Sequence, residues 1–249
     1  MRQVIVSDGR RYRADVVRRV NPRGPEAVRI VIPAYQPTRQ AQNLLKICIR
    51  SIQHYTDPDD YELWVVDNAS PRRFCDWLLE WPGINAVLSR SKPLPPEQRR
   101  VPVCLAFWRD QCAWGSYANG VGLDLGLRLL DESTRYVLTL HMDTMACHKN
   151  WLSFLKSKIN DRVKVAGACM ERHRVPEGVV HVLGCLVDYQ EVRRLNLDYW
   201  PQLPGLDVGD RISVGLRKAG YDLYTCPNTY EHPELADTLP DRSPFKALN

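Results

Sequence analysis

Two apolar runs with an amphipathic helix between them limit what this chain can fold into more than any other feature. Val28-Arg29-Ile30-Val31-Ile32-Pro33 is a β-branched run ended by proline, and Leu63-Trp64-Val65-Val66-Asp67 is a second apolar run. Both read as buried strands. Between them Thr38 is placed to cap a helix. Ala41, Leu44, Leu45, Cys48, Ile52 and Tyr55 then recur at a spacing that puts them on one helical face. Strand, helix and strand in this order form a βαβ unit, which requires parallel strands and a right-handed crossover.

The alternation continues. The pattern predicts a helix over 74–80, a strand over 85–88 and a loop over 89–103 rich in proline. A helix over 115–130 follows, then the strand Tyr136-Val137-Leu138-Thr139-Leu140 and a helix over 151–160. Strands over 163–168 and 179–187 and a helix over 211–219, closed by Gly220, complete the reading. At 249 residues, 44% hydrophobic and 25% charged, one α/β domain with a mixed, largely parallel sheet flanked by helices accounts for the whole pattern. We divide it into a basic arm at 1–27, a domain over 28–232 whose halves meet near residue 145, and a tail over 233–249 poor in apolar residues.

Charge and cysteine narrow the function classes. Seven arginines lie within residues 1–27 against three acidic residues, so the arm carries most of the net charge of +5. It reads as a solvated extension or an added hairpin, and it is the only visible route to peripheral contact with an anionic membrane. No nucleic-acid partner is expected. No run approaches a membrane-spanning length and the first residues lack an apolar leader, so the expected location is cytoplasmic. None of the eight cysteines forms a C-x-x-C pair, which removes the usual zinc and thioredoxin readings.

Ligands of open parallel sheets bind outside the carboxyl ends of the strands. Two strands end there in polar residues: Val66 runs into Asp67, and Leu140 into His141-Met142-Asp143. Asp67-Asn68-Ala69-Ser70-Pro71 also suits a plain turn. His141 and Asp143 place an imidazole and a carboxylate two residues apart, a donor set compatible with Mg²⁺ or Mn²⁺.

The order of these segments resembles the family-2 inverting glycosyltransferases, whose fold is called GT-A, over residues 28–232. Val31-Ile32-Pro33-Ala34-Tyr35 matches the opening strand and the loop that touches the nucleotide. Leu63-Trp64-Val65-Val66-Asp67-Asn68-Ala69-Ser70 matches the second strand, whose aspartate is implied to recognise the nucleobase. Gly115-Ser116-Tyr117-Ala118-Asn119-Gly120-Val121-Gly122-Leu123-Asp124 is similar to the segment that carries an Asn and an Asp near the sugar nucleotide, although its glycines equally suit close packing. His141-Met142-Asp143-Thr144 occupies the place of the metal-binding Asp-x-Asp, with His141 as a departure from it.

The resemblance implies metal-assisted transfer of a hexose from a nucleoside diphosphate sugar to an acceptor hydroxyl. The acceptor would be a glycan, as in polysaccharide biosynthesis, a lipid-linked sugar, a protein or a small molecule. The implied cation ligands are Asp143, His141 and a downstream histidine, His232. The implied base lies in Pro204-Gly205-Leu206-Asp207-Val208-Gly209-Asp210, where Asp207 and Asp210 divide the roles of base and helix cap. Replacement of the first motif aspartate by His141 keeps a second reading open, a non-catalytic nucleotide-sugar binder or assembly protein.

Overall fold

The computed structural model describes residues 1–95, 111–169, 178–227 and 233–238. Its strands are β1 (Arg2–Ser7), β2 (Arg10–Val17), β3 (Val28–Ala34), β4 (Tyr61–Asn68), β5 (Asn85–Ser89), β6 (Tyr136–Leu140), β7 (Val163–Cys169), β8 (Val180–Asp188) and β9 (Asp222–Cys226). The helices are α1 (Arg39–Tyr55), α2 (Arg72–Cys75), α3 (Gln111–Leu127), α4 (Trp151–Lys158), α5 (Tyr189–Arg194) and α6 (Asp210–Lys218). One sheet holds all nine strands in the order β1-β2-β5-β4-β3-β6-β8-β7-β9.

The apolar runs form its centre. β5, β4, β3 and β6 pair in parallel, and all their positions are buried. A strand covered on both faces reads as continuous rather than alternating, which is why these runs stood out in sequence. Antiparallel pairs extend the sheet on both sides, and β9 closes one edge parallel to β7. Two apolar clusters cover the faces, one under α3 and α6 and the other under α1 and α4.

Helix α1 starts as its sequence predicts, with the Thr38 hydroxyl accepting from the Ala41 N–H at 3.2 Å. Its buried stripe is Gln42, Leu45, Cys48, Ile49 and Ile52. Leu44, which the spacing placed on that stripe, is instead 42% exposed. Gln42 takes a place on the buried stripe instead, where its amide donates to the Phe74 carbonyl at 3.0 Å.

Helix α3 begins at Gln111, ahead of the predicted start, and lies very close to the sheet. A Cβ on Gly122 would meet Pro33 Cβ at 2.9 Å, and one on Gly126 would meet Val31 Cγ1 at 2.8 Å. Only glycine permits that approach. The predicted helix over 74–80 is the single turn of α2 followed by a 3₁₀ turn at Asp76–Leu79. β9 and α5 were not anticipated. Residues Pro233–Thr238 of the tail form a further 3₁₀ turn.

The basic arm supplies the β1–β2 hairpin. Asp8 and Gly9, with φ of +47° and +66°, form its two-residue turn between paired Ser7 and Arg10. Tyr12 and Ala14 are fully buried, and the Tyr117 hydroxyl of α3 donates to Asp8 at 2.7 Å. Arg2 and Arg23 pair with Asp15 and Asp59. Arg10, Arg18 and Arg19 donate to the carbonyls of Lys92, Leu129 and Leu79. Five of the seven arginines therefore work inside the fold. Among the described residues no helix is long and apolar enough to cross a membrane.

Candidate active site

The carboxyl ends of β3, β4 and β6 open at one edge of the sheet, and a pocket of about 160 Å³ lies there. A cavity of this size takes one ring system, since an apolar cavity of ~150 Å³ binds benzene. Pro33, Ala34 and Tyr35 form one wall, Gly115, Ala118 and Asn119 of α3 another, and Asn68 and Ala69 the floor. Lys92 adds a cation at the rim, with no ion pair to a described residue. The sequence reading missed Lys92, because it sits in the proline-rich segment with no motif around it. The two strand-end loops are tied together: the Tyr35 N–H donates to the Met142 sulfur at 3.4 Å.

Asp67 lies behind this wall, fully buried. One carboxylate oxygen accepts from the Ser70 N–H at 2.9 Å. The other accepts from the Ser70 hydroxyl at 2.6 Å and the Gln36 amide at 3.0 Å. Burial pushes its pKa up, against the opposing pull of these bonds and of Arg90. Here the carboxylate is spent on the turn instead of the nucleobase contact that the resemblance implies. The turn holds Ala69 at a φ of +61°, a strained value for a residue with a Cβ, and so presents Asn68 and Ala69 to the pocket.

Beyond β6, residues 141–144 make a tight turn in which the Thr144 hydroxyl donates to the His141 carbonyl at 2.7 Å. The His141 ring reaches α3, its Nε2 lying 3.2 Å from the Asn119 amide nitrogen. The His181 ring on β8 stands edge-on to it with centroids 5.5 Å apart. Burial lowers the His141 pKa from 6.5, while the nearby Asp143 and Asp207 pull it the other way.

Asp143 is exposed and has no hydrogen bond or ion pair to a described residue. Among the described residues no three His, Cys, Asp or Glu side chains converge to hold a cation unaided. A single free carboxylate nevertheless fits Mg²⁺ or Mn²⁺, which take one or two protein carboxylates and complete their shell with water and substrate phosphate oxygens. His141 fits less well as a ligand, because its Nε2 is already engaged by Asn119. His232 lies outside the described residues.

Asp207, in the acidic segment of the other half of the chain, is near enough to His141 to act on its ionisation. Asp210 is the first residue of α6 and is 1% exposed. Its Oδ2 accepts from the Asp207 N–H at 2.7 Å, and its Oδ1 is closed off without a partner. Burial raises its pKa from 3.8 to about 6. Asp207 is half-exposed, and its Oδ1 accepts from the Val208 N–H at 2.6 Å. Neither side chain caps the helix. The N-cap is Gly209 at a φ of +85°, where a Cβ would also press on Val182 at 3.0 Å.

Asp124 does not join this group. It pairs with Arg128 at 2.7 Å and lines a separate hollow with Tyr189 and Arg193.

No protein-family model and no curated protein matches the sequence. Solved structures do match the fold. A mannosyltransferase from Pyrobaculum calidifontis in complex with GDP-Man and Mn²⁺ superposes with a TM-score of 0.55 at 16% identity, covering 84% of this chain and 57% of that one. This chain thus spans little more than half of that protein's length. An active-site mutant of LgtC superposes at 0.51 with 15% identity, covering 88% of this chain and 81% of its own. The 4-diphosphocytidyl-2C-methyl-D-erythritol synthase of Anaerococcus prevotii superposes at 0.50 with 10% identity, covering 90% and 96%. At such identities it is the fold that is shared: the mixed sheet flanked by helices is that of the GT-A-like glycosyltransferases.

Proposed function

We propose that this chain is an inverting glycosyltransferase that moves a sugar from a nucleoside diphosphate sugar to an acceptor hydroxyl. The observation that carries this reading is a convergence at one end of the sheet. A ring-sized pocket and an uncommitted carboxylate at Asp143 lie beyond the carboxyl ends of the central strands, joined through the Asn119–His141 contact, and Asp207 of the acidic segment is near enough to His141 to act on it.

Pro33, Ala34, Tyr35, Asn68 and Ala69 enclose the base, and Lys92 offers a positive charge at the rim. Asp143 would hold Mn²⁺ or Mg²⁺ against the donor's diphosphate; the bound cation supplies Lewis-acid stabilisation of the charge on the leaving group. Asp210 is the stronger base. Its pKa of about 6 is matched to proton transfer near neutral pH, and its Oδ1 has no hydrogen-bond partner. The Asp207 N–H orients that carboxylate through Oδ2. Attack from this side, across the mouth from the donor pocket, inverts the anomeric carbon.

The synthase neighbour makes nucleotidyl transfer the second reading, since it shares the fold over most of its length. Such chemistry calls for a glycine-rich phosphate loop after the first strand. Pro33-Ala34-Tyr35-Gln36-Pro37 contains no glycine.

The test is to incubate the chain with UDP-, GDP-, dTDP- and CDP-sugars, with and without Mn²⁺, and to measure nucleoside diphosphate release. We expect release with one nucleotide family, enhanced by Mn²⁺. Saturable binding without turnover would establish the binding-protein reading instead. Pyrophosphate release from a nucleoside triphosphate and a sugar phosphate would establish nucleotidyl transfer.

A further inference from the structure

His141 stands where the resemblance places a carboxylate ligand for the cation, but its hydrogen bonds suit a different task. The Asn119 amide donates to Nε2 across 3.2 Å. An imidazole whose Nε2 accepts from an amide N–H carries its proton on Nδ1. That Nδ1 makes no hydrogen bond to a described residue, and it is not among the polar atoms closed off from solvent. The ring's N–H is therefore without an acceptor among the described residues and is not closed off from a ligand.

The ring is also held in plane. His181 stands against it edge-to-face, with 73° between the two rings. His181 is itself fixed to β8, where its Nδ1 accepts from the Leu183 N–H at 3.3 Å. Asn119 on α3 thus sets the tautomer, and His181 on β8 sets the orientation.

Coordination through Nε2 would break the Asn119 bond, and coordination through Nδ1 would require the other tautomer. Donation to an anion requires neither. The flanking carboxylates, Asp143 and Asp207, repel a bare anion. The fitting occupant is one whose charge is offset by a cation, as a diphosphate is when Asp143 holds the metal. We propose that His141 is a fixed Nδ1–H donor to the leaving diphosphate rather than a ligand of the cation, with Asn119 and His181 as its positioning residues. The proposal rests on the donor-site reading above.

Two measurements test it. Nitrogen-15 NMR of the full chain, with His141→Asn for assignment, should show His141 as the Nδ1–H tautomer. Asn119→Asp, whose carboxylate accepts where the amide donated, should move the proton to Nε2. An Nε2–H tautomer at His141 in the unsubstituted chain overturns the proposal.

Calorimetry in Mn²⁺ buffer should then compare UDP and GDP with uridine and guanosine. The preference for the diphosphate should fall roughly ten- to a hundredfold in His141→Ala, as for loss of a hydrogen bond to a charged group. It should be largely retained in His141→Asn, which keeps an N–H at the δ position, and not in His141→Gln. Mn²⁺ affinity without nucleotide, read by electron paramagnetic resonance, should be unchanged in His141→Ala. An unaltered diphosphate preference in His141→Ala, or a tenfold loss of Mn²⁺ affinity, overturns this inference alone. A wild-type chain that binds no nucleoside diphosphate overturns the donor-site reading together with it.

Discussion

The two sides of the mouth are built in different ways. The donor side is a wall of small residues, Pro33, Ala34, Ala69, Gly115 and Ala118, with α3 seated on β3 and β4 through Gly122 and Gly126. The opposite side is a loop of charged groups held by hydrogen bonds, from the Asp198–Arg211 pair to the Asp207–Asp210 contact. On the proposed function the first side would select by shape, which close packing makes rigid. The second would act by charge, which burial tunes. Substitutions on the donor side should therefore damage stability and donor affinity together, whereas those on the acidic side should damage turnover and leave the fold intact.

The sharpest way to break this contrast is Asp210→Asn. Turnover should fall about 10²- to 10⁴-fold, the usual contribution of a general base, while the donor still binds. In the unsubstituted chain kcat/KM should rise with pH through about 6, where the buried carboxyl ionises. Stability should run the other way. Because the folded-state value of about 6 lies above the unfolded 3.8, the stabilisation is complete below 3.8 and is lost as pH rises through about 6. Asp210→Asn should flatten that part of a melting-temperature profile. If Asp207→Asn abolishes turnover and Asp210→Asn does not, the roles of the two carboxylates are exchanged.

Asp143→Ala should cost about 10²-fold in turnover and remove any response to Mn²⁺, with an unchanged melting temperature because the side chain is exposed. Full activity in this variant would sink the cation site.

On the donor side, Gly126→Ala forces a Cβ to within 2.8 Å of Val31 and 3.0 Å of Val66, and should cost about 1–3 kcal/mol in denaturant unfolding. Asp67→Ala, which leaves the Ser70 and Gln36 donors without their acceptor, should cost a similar ~1–3 kcal/mol. The smallest effect is expected from Asp124→Ala. Loss of its exposed pair with Arg128 should cost only about 0.3–0.5 kcal/mol and leave donor affinity unchanged. A fall in donor affinity would bring Asp124 back into the site.

Much of the fold was legible where structure is local. The parallel strands announced themselves as apolar runs, and Thr38 marked the start of α1. The hairpin was legible too, through Asp8-Gly9 between alternating strands, and an added hairpin was one of the two readings of the arm. β9 and α5 are short and carry little periodicity of their own, so their pairing partners define them.

Strand-end positions were legible: Pro33, Ala34 and Tyr35 line the pocket, and His141 and Asp143 follow β6. Asp124 lies away from the pocket for a reason helix geometry supplies. Five residues after Asn119, it is turned about 140° around α3 and faces another side. Lys92 and His181 carry no sequence signal of their role. They enter the site only because the chain before α3 and strand β8 come to its edge.

Sequence alone determined the order of strands and helices in the core, and hence the end of the sheet at which polar residues gather. Apolar periodicity and strand-end position are properties of neighbours along the chain. Only the tertiary structure decided which carboxylates are free and which are spent. Asp67 is consumed by its own turn, Asp143 is left open, and Asp210 is buried and raised toward neutrality. Likewise the His141 ring meets the amide of Asn119, a residue on another element. Protonation and hydrogen-bond partners depend on which segments meet in space.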